Sequence, residues 1–576
     1  MSLYRSTKMS LNTASSSQQS NKLFYTFLAV WFVVGLIQNY FTEVNGEEAY
    51  YWLFSQFLDW GYLDHPPMVG VVTAPGYWLM QNPLGLRLGM LLINICTMLV
   101  VWKTTEKRDT TLLIWIFAGM LAVHAGAFMV KTDVPLMLGV ALFYYFYNQY
   151  LKEDNLKTVF LLALSIALIL MSKHHGILVV FFTVLSNVKL LTKKTFWMAV
   201  GFTVLLMLPH TYWQYMNEFA TIKFHLYNRI DMGFSWNSIA YYIGIQPLVF
   251  GPLIGVSLLS ASYANKKKSD FNRALKFTIV GVLIFFLIST FKVEFHKHWT
   301  SVLSVPFMLL GHEFIKDHQK WRKVLIRLSI ATVILLIPAR IYLMHDFFPK
   351  KWTEGWDVIH NWDSWAEEVQ ELSGGLPIMF NNHYERSSRY SYLTKDIVHC
   401  YNTFDYRETH HDLLPLEENL QGKTVFQINR FRDTVNYQDY DTEIGKGIHY
   451  RTIENFRSYR NVWIEIEDAE KHYEFKPGEK VDLKLKLTNK YQRTIDFADA
   501  GNRKVILNVH YLKGLRPVGK EKLIVLTGTM AEVEEVEYGV RLTIPELEGN
   551  FDIRFSIQVG EIEPPINSRK VKVTID

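Results

Sequence analysis

Apolar residues dominate the chain from residue 23 to residue 343 and then lose their hold. Over that stretch they come as long runs, each close to the roughly 20 residues a helix needs to cross a bilayer. The runs fall near 23–41, 84–102, 111–130, 134–151, 157–172, 175–190, 195–212, 238–262, 273–291, 299–315 and 324–343. They predict a multi-span helical membrane domain with about 11–13 transmembrane helices. Over 344–461 the pattern is mixed. Trp352, Trp356, Trp362 and Trp365 suit a membrane interface, Asp363–Leu372 reads as an amphipathic helix, and LPIMF and TVFQI read as buried strands. These predict a small α/β domain. From 462 to 576 the period becomes two: VWIEIE, KVDLKLKLTN, RKVILNVHYL, EKLIVLTG, YGVRLTIP, NFDIRFSIQV and KVKVTI are strands parted by turn residues. Such spacing predicts an antiparallel β-sandwich.

Charge orients the runs. Lys and Arg cluster at Arg5/Lys8/Lys22, Lys103/Lys107/Arg108, Lys152/Lys157, Lys189/Lys193/Lys194, Lys266–Lys268 with Arg273, and Lys316/Lys320/Arg322/Lys323. These are alternate loops, so the positive-inside rule makes them cytoplasmic, with the 1–22 tail. The remaining loops face outward, and an odd number of spans carries 344–461 and 462–576 outward too. The run from residue 23 is too long for a signal-peptide core and lacks a small-residue cleavage site, so it reads as a retained first span. A net charge of +5 over 576 residues gives no reason to expect nucleic acid. Cys96 and Cys400 lie in different regions, and no disulfide is expected.

The outward loops hold unusual chemistry. The first packs Glu43, Glu47, Glu48, Asp59, Asp64 and His65 among Tyr50, Tyr51, Trp52, Trp60 and Tyr62. Carboxylates take protons or hold a metal, and aromatic faces pack on pyranose rings, so the loop suits sugar chemistry. Glu47 and Glu48 follow Gly46 and equally suit the start of a helix, where acids complement the dipole. Pro66 and Pro67 fix the backbone after Asp64 and His65. In Lys131-Thr132-Asp133-Val134-Pro135, Thr132 or Asp133 is placed to cap the next helix. Lys173 lies between two runs, where lysines snorkel but where an ion at membrane depth is also a functional candidate. His225 and Arg229 fall one helical turn apart in another outward loop, and Glu294, His296, Lys297 and His298 crowd a third. Two histidines beside a glutamate are weak grounds for a metal.

Gly46-Glu47-Glu48-Ala49-Tyr50-Tyr51-Trp52, Tyr62-Leu63-Asp64-His65-Pro66-Pro67, Thr132-Asp133-Val134-Pro135 and Ser172-Lys173, in that order, resemble the dolichyl-phosphate-mannose protein mannosyltransferase-like group. The nearest branch is the bacterial one with the lipid A aminoarabinose transferase. The resemblance spans about residues 20–460 and implies a glycosyltransferase C-like fold and a polyprenyl-phosphate-sugar donor. It places Glu47 as the first-loop acid, Asp64 as the second, Asp133 at the Thr-Pro-Asp-like position and Lys173 near the donor phosphate. Glu47-Glu48 stands where the group usually has Asp-Glu, and Lys131-Thr132 where it usually has Thr-Pro.

The reading is a glycosyltransferase of a bacterial inner membrane, working on its outer face. Nucleotide sugars are cytoplasmic, so an outward site requires a lipid-carried sugar. Glu47, Glu48, Asp64 and Asp133 are the catalytic candidates. Lys173, Arg229 and His65 are candidates for the donor phosphate, and Tyr50, Tyr51, His225, His296 and His298 for substrate. Asp64 is the candidate ligand of a divalent metal ion. The acceptor is a lipid, glycan or protein, with lipid A modification and protein glycosylation as the group's chemistries. The alternative is a multi-span lipid-linked-sugar transporter or flippase, which would carry ionisable residues inside its spans and broken helices in related halves.

Overall fold

A computed structural model of the chain describes residues 2–227, 235–291, 295–348, 359–430, 437–442, 445–467, 470 and 472–576. It divides into two compact units: Met1–Phe219, Gly233–Trp352 and Val358–His360 form one, and Ala220–Met232, Thr353–Asp357 and Asn361–Asp576 the other.

The first unit is helical. Among the described residues, the helices Gln18–Phe41, Pro83–Thr104, Asp270–Ser289 and Gln319–Met344 are long and apolar enough to cross a bilayer. Two further pairs are bent, Thr110–Gly119 with Leu121–Phe128 by 71° and Trp236–Phe250 with Gly255–Ala264 by 95°. Counted as spans, they raise the number to six. The expected runs near 157–172 and 175–190 form the shorter apolar helices Leu156–Ser172 and His174–Ser186. Met68–Leu79, inside the expected outer loop, is another.

Hydropathy registers apolar length and is blind to bends, so broken helices read as straight spans. The 95° bend has a local cause. Gly251 adopts φ +145, and a Cβ on Gly255 would lie 1.8 Å from the Pro247 carbonyl, so the chain turns back tightly on itself where only glycine fits. Phe24, Trp102, Phe117, Tyr144 and Phe307 belong to the unit's buried core. Val30, Val33, Ile37, Ile334 and Leu335 stay exposed on Gln18–Phe41 and Gln319–Met344, the least buried of the four, as lipid-facing positions do.

In the second unit the amphipathic helix Trp362–Ser373 buries Trp365, Ala366 and Val369. A five-stranded sheet of order β2-β1-β3-β5-β4 follows. Its strands are β1 (Ile378–Asn381), β2 (His399–Tyr401), β3 (Val425–Asn429), β4 (Gln438–Tyr440) and β5 (Ile448–Ile453). β1 runs parallel to β2 and β3, and β5 is antiparallel to β3 and β4. The predicted runs LPIMF and TVFQI are β1 and β3.

The seven period-two runs are all strands. They form β6 (Val462–Ile466), β8 (Lys480–Asn489), β10 (Val505–Lys513), β11 (Arg516–Leu526), β13 (Glu535–Thr543), β14 (Gly549–Val559) and β15 (Val571–Ile575). Shorter β7 (His472–Phe475), β9 (Ile495–Asp496) and β12 (Thr529–Met530) join them. One sheet has the order β11-β10-β14-β15-β7, a second β13-β8-β6 and a third β12-β9. β15 and β7 pair in parallel, whereas the other ladders among the described strands of this region are antiparallel.

The two expected outer domains share one core. Met379, Tyr401, Val425, Ile453 and Phe456 are buried with Leu485, Leu507, Phe555 and Ile557 of the sandwich. Arg451 pairs with Glu563 across the same boundary, and Tyr401 donates to the Glu563 carbonyl at 2.8 Å.

Candidate active site

Asn45 sets the phase of the first loop. Its side chain accepts the Glu48 N–H while Glu48 reaches back to the Asn45 backbone, a capping box that starts the helix Gly46–Gln56. Glu47 and Glu48 then lie in the first turn, pointing different ways. Glu48 turns inward and is 1% exposed. Arg87 Nε donates to its Oε1 at 2.7 Å and Arg87 Nη2 to its Oε2 at 2.8 Å. The Val130 N–H adds 2.9 Å to Oε1 and the Asn45 amide 2.7 Å to Oε2. Arg87 spends its other N–H groups on the carbonyls of Asn39, Thr42 and Glu43. Both Glu48 oxygens are therefore occupied. The carboxylate ties together the first loop, the helix Pro83–Thr104 and the segment before Lys131.

Glu47 faces the other way, with its side chain 45% exposed and 4.0 Å from Lys131 Nζ. Tyr51 donates to Glu47 Oε1 at 3.2 Å, and its hydroxyl lies 3.3 Å from His65 Nε2. Since that hydroxyl has one proton and gives it to Glu47, His65 must present an N–H. The Pro66-Pro67 turn holds this geometry through the Tyr62 N–H, which bonds the His65 carbonyl at 2.9 Å. Tyr50 lies 3.4 Å from Asp64 Oδ1 as donor. Tyr50 and Tyr51 are 2% and 3% exposed, so they offer phenolic oxygens, and their ring faces are used in packing against Phe54.

Asp133 opens the helix Asp133–Lys152, after a Thr132 whose side chain makes no capping bond. Its carboxylate is spent on tertiary partners. Lys173 Nζ, at the C-cap of Leu156–Ser172, lies 2.9 Å from both Asp133 oxygens. Ser301 Oγ is 2.6 Å from Asp133 Oδ1 and 2.6 Å from the His298 carbonyl. Burial is the largest influence on Asp133 and opposes its charge, but Lys173, His298 and the Ser301 hydrogen bond together outweigh it and hold the carboxyl below its ordinary range. Burial first, then Lys173, push His298 down to about 3, and Lys131 adds in the same direction. His298 is thus a neutral imidazole among cations.

These contacts join Glu47, Lys131, His298, Asp133 and Lys173 in one cluster, with Glu48–Arg87 behind it. Asp64 with Tyr50, and His65 with Tyr51, sit alongside in the first loop. His296 is exposed, its ring stacked 5.8 Å from that of His298. His225 belongs to the second compact unit, and Arg229 and Glu294 lie outside the described residues. Among the described residues no three His, Cys, Asp or Glu side chains converge as metal ligands.

Sequence reasoning did not single out Arg87 or Ser301, and treated Lys131 only as part of a turn. Arg87 had a usable signal, a charge near the start of an apolar run that ends up fully buried. Ser301 had none.

Residues 64–213 match the family described as dolichyl-phosphate-mannose-protein mannosyltransferase. The chain is similar to the lipid A galacturonosyltransferase RgtD of Rhizobium johnstonii, 23% identical over 347 residues, which cover 58% of this chain and 72% of that protein. Its fold matches crystal structures of ArnT from Cupriavidus metallidurans. The apo form aligns with a TM-score of 0.54 at 12% identity, over 75% of this chain and 98% of ArnT. The form bound to undecaprenyl phosphate aligns with 0.55 at 13% identity, over 74% and 97%. The ArnT alignments bear out the fold read from the motifs, and the match over residues 64–213 and the similarity to RgtD point to the same group that those motifs resemble.

Proposed function

We propose that this chain, a relative of the mannosyltransferase-like and aminoarabinose-transferase-like enzymes, is a membrane glycosyltransferase that moves a sugar from a polyprenyl-phosphate donor to a lipid, glycan or protein acceptor. The observation that carries the reading is the accessible Glu47 carboxylate 4.0 Å from Lys131, next to the Asp133–Lys173 pair, on a fold shared with a structure holding undecaprenyl phosphate. The alternating Lys/Arg clusters support an inner-membrane protein with a cytoplasmic N-terminus and an outward-facing site.

In the proposed reaction an acceptor oxygen attacks the anomeric carbon. The bond from that carbon to the donor phosphate oxygen breaks, and its electron pair leaves with the phosphate. Glu47 takes the proton of an acceptor hydroxyl, or orients an acceptor that is already anionic. Lys131 stabilises the charge growing on the leaving phosphate, because its ammonium is the more open of the two lysines. Lys173 is held by Asp133 through two contacts and sets the local field while keeping Asp133 ionised. Glu48 positions Glu47 through the helix start. Tyr51 and His65 orient the Glu47 carboxylate, and His298 donates to or accepts from the bound sugar as a neutral ring.

The test is release and transfer of labelled sugar from a polyprenyl-phosphate-sugar by the purified, membrane-reconstituted protein. Labelled sugar on an acceptor, lost in Glu47→Gln, supports the reading. Donor that crosses the bilayer intact, without cleavage, would replace it with transport.

A further inference from the structure

The membrane-type unit carries a cation within one of its spans that sugar transfer does not use. Arg340 lies in the helix Gln319–Met344, one turn before its end. At a rise of about 1.5 Å per residue it sits roughly 6 Å along the span from Met344. Gln38 lies at the matching depth of Gln18–Phe41, roughly 4.5 Å from Phe41 by the same measure. The alternating Lys/Arg clusters put both of these helix ends on the outer side. That is the depth of lipid headgroups.

The two residues clamp their helices together. Arg340 Nε donates to Gln38 Oε1 at 3.0 Å, and Gln38 Nε2 lies 3.3 Å from the Arg340 carbonyl and 2.7 Å from Thr42 Oγ1. Gln38 is 1% exposed, so its amide is spent on these contacts. The clamp uses Nε alone. Among the described residues neither Nη group of Arg340 makes a hydrogen bond, and no carboxylate pairs with the guanidinium. Its Cζ stands 5.5 Å over the Phe128 ring, a contact that uses no N–H. The residue is half-buried, and its Nη groups are not sealed from outside. A charge within a span is costly unless it is paired, and it marks a functional position by default. A snorkelling side chain would reach for water, whereas Gln38 holds this one against the neighbouring helix.

The surface around the clamp is apolar and open. Val34 and Phe41 lie one helical turn from Gln38, and Ile337 one turn from Arg340, all three exposed. Ile37 and Ile341 are exposed beside them. A ligand here must bring an anion at headgroup depth and hydrocarbon below it. A phospholipid has both.

We propose that Arg340, held by Gln38, binds the phosphate of an anionic phospholipid whose acyl chains lie along Gln18–Phe41 and Gln319–Met344. A guanidinium fork presents paired N–H groups to phosphate oxygens, and basic positions beside spans attract anionic lipids. The site rests on the membrane reading of this unit and is independent of sugar transfer.

The full-length protein is placed in phosphatidylcholine nanodiscs that contain a phosphatidylglycerol with a diazirine in its headgroup. After irradiation the adducts are mapped by mass spectrometry. Adducts within 34–41 or 337–344 are expected in the wild type. Added unlabelled phosphatidylglycerol should compete them away, and diacylglycerol, which lacks the phosphate, should not. Arg340→Gln should lower this labelling about tenfold, the worth of a charged hydrogen-bonded contact. Arg340→Lys should fall between wild type and Arg340→Gln. Labelling beside the cytoplasmic Lys266–Lys268 cluster should stay the same in both variants, which shows that each is inserted and the probe active. Equal labelling of wild type and Arg340→Gln within 34–41 and 337–344 overturns the site. So does equal competition by diacylglycerol, or labelling of the wild type at the cytoplasmic clusters alone. No sugar donor is present in this experiment, so its failure leaves the transfer reading standing, and failure of the transfer test leaves the lipid site standing.

Discussion

Glu47 and Glu48 are adjacent and chemically identical, yet their environments give them opposite work. Glu48 is sealed by Arg87, Val130 and Asn45, and Glu47 is open beside Lys131. Glu47→Gln should lower transfer by about 10²–10⁴, the usual worth of a general base, and leave stability within about 0.5 kcal/mol. Glu48→Gln leaves the Arg87 charge buried without its partner and should cost about 3–5 kcal/mol of stability. Transfer rate and thermal unfolding, measured on both variants in one detergent, separate these outcomes. Equal loss of stability in both would mean that Glu47 is structural. Lys131→Ala should raise the donor KM, and Lys131→Arg should recover part of the loss, since arginine keeps the charge with another geometry. A donor titration of the three proteins checks this, and identical KM values would remove Lys131 from the donor site. The sequence exposed the importance of the loop but not which acid faces in. That choice depends on the helical phase set by Asn45 and on Arg87, far along the chain.

Between elements, the Asp133–Lys173 pair joins the start of one helix to the end of another, and Ser301 brings in a third segment, the short helix Lys297–Leu303. Its motifs were legible because both residues stand at the edges of apolar runs, but each alone read equally well as a cap or a snorkelling lysine. Only packing shows that they meet. Asp133→Asn and Lys173→Met should each cost about 3–5 kcal/mol, with the double variant less damaging than the sum by at least about 1 kcal/mol. Additive losses in a thermal double-mutant cycle would deny the coupling. His298 extends the argument to pH. Its folded value is about 3, below the ~6.5 of an unfolded histidine, so the folded state resists a proton that the unfolded state accepts. The stability contribution is present above pH ~6.5 and falls by up to about 1.4 kcal/mol per pH unit as pH drops toward the folded value. His298→Gln should flatten the unfolding-versus-pH curve between about pH 6 and pH 4. An unchanged slope would show that other groups set it.

At the scale of the molecule, periodicity revealed most of what lies beyond the membrane-type unit. Strands of period two were legible because one face is buried and the other wet. β7, β9 and β12 were too short to show a period. The boundary expected at 461/462 marks a change of pattern, and the core continues across it. Met379, Tyr401, Val425, Ile453 and Phe456 bury against sandwich residues, Arg451 pairs with Glu563, and Arg554 donates to the Phe404 carbonyl at 2.7 Å. A change from α/β to β pattern is local, whereas a shared core depends on contacts far apart in sequence, so the pattern alone suggested two modules. Truncation after Asn461 would expose the Met379, Tyr401 and Val425 face and strip Arg451 of its partner. Large buried apolar side chains are each worth about 1.5–3 kcal/mol, so the loss of that face should unfold the remaining α/β part. Limited proteolysis of the full-length protein tests this without the truncation. One resistant fragment from about residue 361 to the C-terminus, melting in a single transition, is expected of a shared core. Early cleavage near 461 that releases two stable fragments would show that the sandwich folds by itself.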